Sequence, residues 1–90
     1  MEVRSKVKLV NSRGLHARPC HAIVTAASSF KSSLRVAYDG QEVDAKSILE
    51  LLTLSAAQGA ELELIAAGDD AQELVHGVSA VIAAGFGETD

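Results

Sequence analysis

The spacing of apolar residues changes period repeatedly along this chain, and each change marks where one kind of element must give way to another. Val3, Val7 and Leu9 lie on one face of a period-2 pattern with Arg4, Lys6 and Lys8 on the other, which predicts a half-buried strand over 2–10. From Ala17 the period becomes helical. Cys20, Ile23, Val24 and Ala27 stand at i, i+3, i+4 and i+7, one stripe of a helix expected to end near Ser29. Pro19 is tolerated only in the first turn, where a missing N–H costs nothing, so that helix starts at about His16 or Ala17.

Leu34, Val36 and Tyr38 then alternate, Asp39-Gly40 suits a two-residue turn, and Glu42-Val43 begins a short return strand. Ser47 precedes the run Ile48, Leu49, Leu51, Leu52, Leu54 and stands three residues before Glu50, the spacing of a capping box that opens a second helix. Gly59 is expected to end that connection. A fourth strand follows over 60–66, with Leu62, Leu64 and Ala66 inward and Glu61 and Glu63 outward. Asp70 and Glu73 repeat the capping-box spacing ahead of Leu74, Val75, Val78, Val81 and Ile82, a stripe that Gly85 closes. The tail from Gly87 to Asp90 is expected to fray. Three helices with one apolar stripe each, set against a sheet with one apolar face, make a two-layer α+β open sandwich. No repeat, low-complexity segment or linker divides the chain, so residues 1–90 read as one domain.

A chain of 90 residues has room for one core only. At 48% hydrophobic and 22% charged it is too apolar to stay disordered. Aromatic residues are 3%, so the core is aliphatic. The single cysteine, Cys20, cannot form an internal disulfide, and no signal peptide or unbroken apolar stretch of about 18 residues is present. A cytoplasmic protein without membrane insertion is expected. A net charge of −4 argues against a nucleic-acid partner, since no basic stripe could displace counterions from phosphates. Proteins or small anions are the expected partners.

The segment Asn11-Ser12-Arg13-Gly14-Leu15-His16-Ala17-Arg18-Pro19 carries the chemistry. His16 falls at the start of a helix, where the first N–H groups lack internal acceptors and the dipole is positive. An anion there gains ~0.3–1 kcal/mol from the dipole. Arg18 adds a permanent cation and a planar fork of donors suited to phosphate oxygens, where a charge-assisted bond contributes about 1.5–3 kcal/mol. Histidine supplies a nucleophilic nitrogen that is available near neutral pH, and Gly14 can adopt the backbone angles that turn strand into helix.

Gly-Leu-His-Ala-Arg-Pro, preceded by Asn11, resembles the active-site signature of HPr, the histidine-containing phosphocarrier of the bacterial phosphoenolpyruvate-dependent phosphotransferase system. Lys46-Ser47-Ile48, the approach from Gly68 to Glu73 and the ending Gly85-Phe86-Gly87-Glu88 are similar to that family at corresponding spacings. The resemblance implies a four-stranded antiparallel sheet in order 1-4-2-3 with three helices on one face, βαββαβα. It implies that enzyme I phosphorylates His16 on Nδ1 and that His16 passes the group to a IIA domain, with no metal and no cofactor. Arg18 would neutralise phosphate charge and Pro19 would position the helix start. Ile48, with some of Leu49, Leu51 and Leu52, would form the docking patch. Ser47 would be the serine that an HPr kinase phosphorylates in many members. A monomer is expected. The alternative is a carrier in a regulatory phosphorelay of nitrogen or carbon metabolism, without sugar transport.

Each residue also has a plainer reading. A lone histidine at a helix start is usually a cap or a solvated side chain, and here the surrounding motif makes the difference. Cys20, four residues from His16, invites a thiol–imidazole dyad or a metal pair, but it belongs to the apolar stripe and is expected to face the core. It also departs from the alanine common after the proline in the family. Ser47 is first of all a cap, and Glu50 would repel a phosphate placed on it. His21 and His76 receive no function. A regulator that holds an anion without passing it on, or a small-ligand module, could share the fold. The full motif around His16 argues against both.

Overall fold

The computed structural model describes residues 1–88. Strands β1 (Glu2–Lys8), β2 (Ser33–Tyr38), β3 (Gln41–Asp44) and β4 (Glu61–Ala67) and helices α1 (Ala17–Ser28), α2 (Ile48–Leu52) and α3 (Ala71–Ala83) follow the order β1-α1-β2-β3-α2-β4-α3, with a 3₁₀ turn at Gly85–Gly87. The four strands pair antiparallel in the order β1-β4-β2-β3. The α+β open sandwich expected from the sequence is the fold observed.

Strand alternation decides which face is dry. Val3 pairs with Ala66, Val7 with Leu62, Leu34 with Ala66, and Val36 with both Leu64 and Val43, so the inner face is one continuous apolar layer. Cys20, Ile23 and Ala27 of α1, Leu51 of α2, and Leu74, Val75, Val78 and Ile82 of α3 are buried in the same core. The outer face carries charge in register, Lys6 opposite Glu63 and Lys8 opposite Glu61, with ion pairs Arg4–Glu63 at 3.3 Å and Arg35–Glu42 at 2.7 Å. Such exposed pairs contribute only about 0.2–1 kcal/mol each. Ile65 lies on that outer side too, in register between Arg4 and Arg35, yet it is 7% exposed. Alternation alone did not anticipate this burial.

Asp39 and Gly40 turn β2 into β3 with φ of 51° and 80°, the left-handed pair that a two-residue hairpin requires. Three boundary expectations change. Strand β1 ends at Lys8 rather than residue 10, although Leu9 N–H still reaches Ala60 O at 2.9 Å. At α2 the Glu50 N–H donates to Ser47 Oγ at 3.2 Å, but the Glu50 carboxylate accepts from Asp44 N–H at 3.0 Å, so only half of the capping box forms. At α3 the Asp70 side chain does not cap its own helix. It accepts instead from the N–H groups of Lys31 at 2.9 Å and Ser32 at 2.8 Å, while Asp70 N–H donates to Ser32 Oγ at 3.1 Å, tying the start of α3 to the strand β2 entrance. A side-chain hydrogen bond from Ser32 to the carboxylate, followed by the N–H bonds from Lys31 and Ser32, pulls the Asp70 carboxyl down to about 2. Of the tail expected to fray, Gly87 and Glu88 are held: their N–H groups donate to Ala84 O at 3.3 Å and Gly85 O at 3.0 Å. Residues 89 and 90 lie outside the described residues. Among the described residues no helix is long and apolar enough to cross a membrane.

Candidate active site

The approach to His16 is built from a turn that only a few residue types could make. Asn11 is 4% exposed, and its Nδ2 donates to Gly14 O at 2.7 Å, while Gly14 N–H donates to Asn11 O at 3.2 Å. Gly14 sits at φ +67°, and a Cβ there would come within 2.5 Å of Ala56 O and 2.8 Å of the Ala57 Cα. Both the left-handed backbone and the missing side chain are therefore needed. Close approach lets Leu15 N–H reach Ala56 O at 2.9 Å, and the buried Leu15 side chain anchors the loop. The segment after α2 is thus the floor beneath the residue before His16.

His16 is the N-cap of α1, with extended backbone at φ −92° and ψ −172°, and its carbonyl accepts from Cys20 N–H at 3.1 Å. Its side chain does not cap the helix. Neither Ala17 N–H nor Arg18 N–H meets an acceptor among the described residues, and Pro19 has no N–H to satisfy. Pro19 is buried in the first turn, as expected of a residue that fixes the helix entry. The Arg18 side chain is exposed beside these groups and forms no ion pair among the described residues. The start of α1 is an electropositive end with donors to spare.

The imidazole turns the other way. His16 Nε2 lies 2.8 Å from Glu88 Oε2, and Glu88 Oε1 accepts from Asn11 Nδ2 at 3.0 Å. The two side chains are 27% and 12% exposed, so the contact is partly shielded from water. Partial burial pushes the Glu88 carboxyl up, but the bonds from Asn11 and His16 and the charges of His16 and Arg18 outweigh it and hold the carboxyl below its usual range. Sequence reasoning assigns this residue no role, since the tail from Gly87 is expected to fray, although the family-like ending Gly85-Phe86-Gly87-Glu88 contains it. His16 and Glu88 are 72 positions apart, and only the packing of the 3₁₀ turn after α3 brings them together.

The other expected site residues divide. Ser47 caps α2 at partial exposure. Leu49 is 78% exposed, and Ile48 and Leu52 pack only partly against the core, so these three are open to a partner. Leu51 is corrected: it is fully buried and points into the core, because positions 48, 49 and 52 take the outer side of this short helix. Cys20 is buried as expected, with its Sγ 3.9 Å from Leu15 O, and burial raises its thiol to about 11, the opposite of what a nucleophile or metal ligand needs. Among the described residues no group of three potential ligands gathers to hold a metal. His21 and His76 are exposed.

Residues 3–84 match the family model described as the phosphotransferase-system HPr component phosphorylation site. The HPr-like protein Crh of Bacillus subtilis is 39% identical over 80 residues, 89% of this chain and 94% of that protein. Its solution structure, described as that of the catabolite repression HPr, superposes with a TM-score of 0.65 over 89% of this chain and 95% of that one. The crystal structure of HPr-C-His from Thermoanaerobacter tengcongensis, 36% identical, superposes with a TM-score of 0.92 over 98% of this chain and 99% of that one. A multiphosphoryl transfer protein of Vibrio cholerae is 38% identical over 84 residues, 90% of this chain, but the chain spans only 21% of that relative's length. With its fold, its histidine at a bare helix start and a family match over nearly its whole length, the chain belongs to the HPr family.

Proposed function

We propose that this chain is a phosphocarrier that accepts a phosphoryl group from phosphorylated enzyme I on His16 Nδ1 and hands it to a IIA-type acceptor. The observation that carries this reading is the geometry of the α1 start: Nε2 is engaged by Glu88, so Nδ1 is the ring nitrogen left to react. Phosphoryl transfer needs mainly positioning and charge stabilisation, which suits a small protein that borrows its remaining groups from partners. Arg18 offsets phosphate charge, Pro19 holds the helix entry, and Ile48, Leu49 and Leu52 supply apolar contact to enzyme I. Incubation with enzyme I and phosphoenolpyruvate should add one acid-labile, base-stable phosphoryl group, and folded His16→Ala should take up none. A label retained by His16→Ala would remove the assignment.

The kinship with the catabolite repression protein favours a second reading of the same chemistry, a regulatory phosphorelay without sugar transport. Transfer from His16 to the IIA domain of a sugar permease, set against transfer to a regulatory acceptor from the same cell, separates the two. Ser47 belongs to this reading as a substrate for an HPr kinase. Such a kinase should label the wild type and not Ser47→Ala, and absence of label on both leaves Ser47 a cap.

A further inference from the structure

A histidine ring can attack phosphorus through Nδ1 in only one of its forms. The imidazolium has no free lone pair, and the neutral tautomer protonated at Nδ1 has its lone pair on the wrong nitrogen. Only the neutral ring protonated at Nε2 presents Nδ1 as the nucleophile. In this chain Nε2 lies 2.8 Å from Glu88 Oε2, and a carboxylate can only accept, so the bond requires the proton on Nε2. Glu88 is itself braced, because Asn11 Nδ2 donates to its other oxygen at 3.0 Å and to Gly14 O at 2.7 Å from a position 4% exposed. The brace ties the carboxylate to the glycine turn that sets up the helix start, so ring and helix are aligned by one set of contacts.

We propose that Glu88 is a positioning residue for phosphoryl transfer: it holds His16 in the Nε2–H tautomer and then pairs with the positive ring formed when Nδ1 carries the phosphoryl group. This rests on His16 being the phosphoryl acceptor. The Nδ1 lone pair forms the new N–P bond as the P–N bond to the donor's phosphohistidine breaks, and that electron pair returns to the donor nitrogen. The proton on Nε2 stays in place, so the His16 ring becomes cationic beside the ionised Glu88. On onward transfer the N–P electron pair returns to Nδ1, which regenerates the same neutral tautomer. No proton has to be exchanged with solvent in either direction, and the carboxylate–imidazole contact persists through the cycle.

Ring-nitrogen NMR of ¹⁵N-labelled neutral His16, measured in wild type, Glu88→Gln and Glu88→Ala, reads the tautomer directly. Labelling rates with enzyme I and phosphoenolpyruvate on the same proteins read its consequence. Wild type should be held as Nε2–H, and Glu88→Ala should populate the other tautomer and accept phosphate about threefold to tenfold more slowly, because the bond exists before transfer and only its strengthening on the cationic ring acts on the rate. Glu88→Gln should fall between, since its amide oxygen can still accept from Nε2–H without the charge. Equal unfolding midpoints keep the comparison free of a folding defect. An unchanged tautomer ratio or an unchanged rate in Glu88→Ala overturns the proposal. A wild type that takes no label on His16 overturns the phosphocarrier reading instead, while the tautomer measurement on unphosphorylated protein still judges Glu88.

Discussion

Helices α1 and α2 begin in opposite ways. At α2, Ser47 Oγ accepts the Glu50 N–H, and an acidic residue already stands in the first turn, so the dipole and the third N–H of the helix are answered locally. At α1 the N-cap is a histidine whose side chain turns to Glu88, and no acidic residue stands in the first turn. An unfilled N-cap forgoes about 0.5–2 kcal/mol of helix stability. At α1, among the described residues, no side chain occupies the position that a permanent cap would take, which leaves it open to the anion that the proposed function places there. Helix α3 shows a third use of the same position, since Asp70 spends its carboxylate on Lys31 and Ser32 and fastens two loops together.

The sharpest way to break the contrast is to give α1 the cap it lacks. His16→Ser should abolish phosphoryl uptake outright and at the same time raise stability by ~0.5–1 kcal/mol in urea unfolding, as a hydroxyl accepts from the bare first turn. Lower stability together with lost uptake would mean that the His16–Glu88 contact contributes more to the fold than the missing cap would. Next in size, Arg18→Ala should slow transfer roughly thirtyfold, corresponding to ~2 kcal/mol of lost charge stabilisation, with an unchanged circular dichroism spectrum. Stopped-flow transfer at wild-type rate would leave Arg18 a surface residue.

Removing the cap that α2 does have should do the reverse of capping α1. Ser47→Ala is expected to lower stability by about 0.5–2 kcal/mol while His16 still accepts phosphate at close to the wild-type rate. The third helix start should differ from the others only in acid. With the folded Asp70 carboxyl at about 2 and an ordinary value of 3.8, the unfolded chain binds more protons between those pH values. The stabilisation from this group is thus fully present above about pH 4 and is lost as pH falls toward 2. Unfolding curves across pH 5 to 2 should fall more steeply for wild type than for Asp70→Ala, and parallel slopes would remove Asp70 from the acid response.

Periodicity made the seven elements legible because strands and helices each expose one side chain in a fixed rhythm to the same core. Val3, Val7, Leu34, Val36, Leu62 and Leu64 name the inner sheet face, and Pro19 marks the start of α1 to within a residue. The placement of His16, Arg18 and Gly14 at the turn from strand to helix was likewise readable, since it depends on neighbours in sequence. What only the tertiary structure decided are the contacts between distant segments. Leu51 looked like its neighbours Leu49 and Leu52, and only the docking of a five-residue helix on the core turned it inward. Asp70 and Glu50 carried the spacing of capping boxes, but each carboxylate found a stronger competitor in backbone N–H groups from another segment. Glu88 stood in an ending similar to the family's, but nothing near it gave it a role, because its partners Asn11 and His16 come from the other end of the chain. Local chemistry, written within a few residues, therefore chose the histidine and the helix that presents it. The orientation of that histidine ring depends on a carboxylate placed by the whole fold, and no pattern of neighbouring residues encodes such a distance.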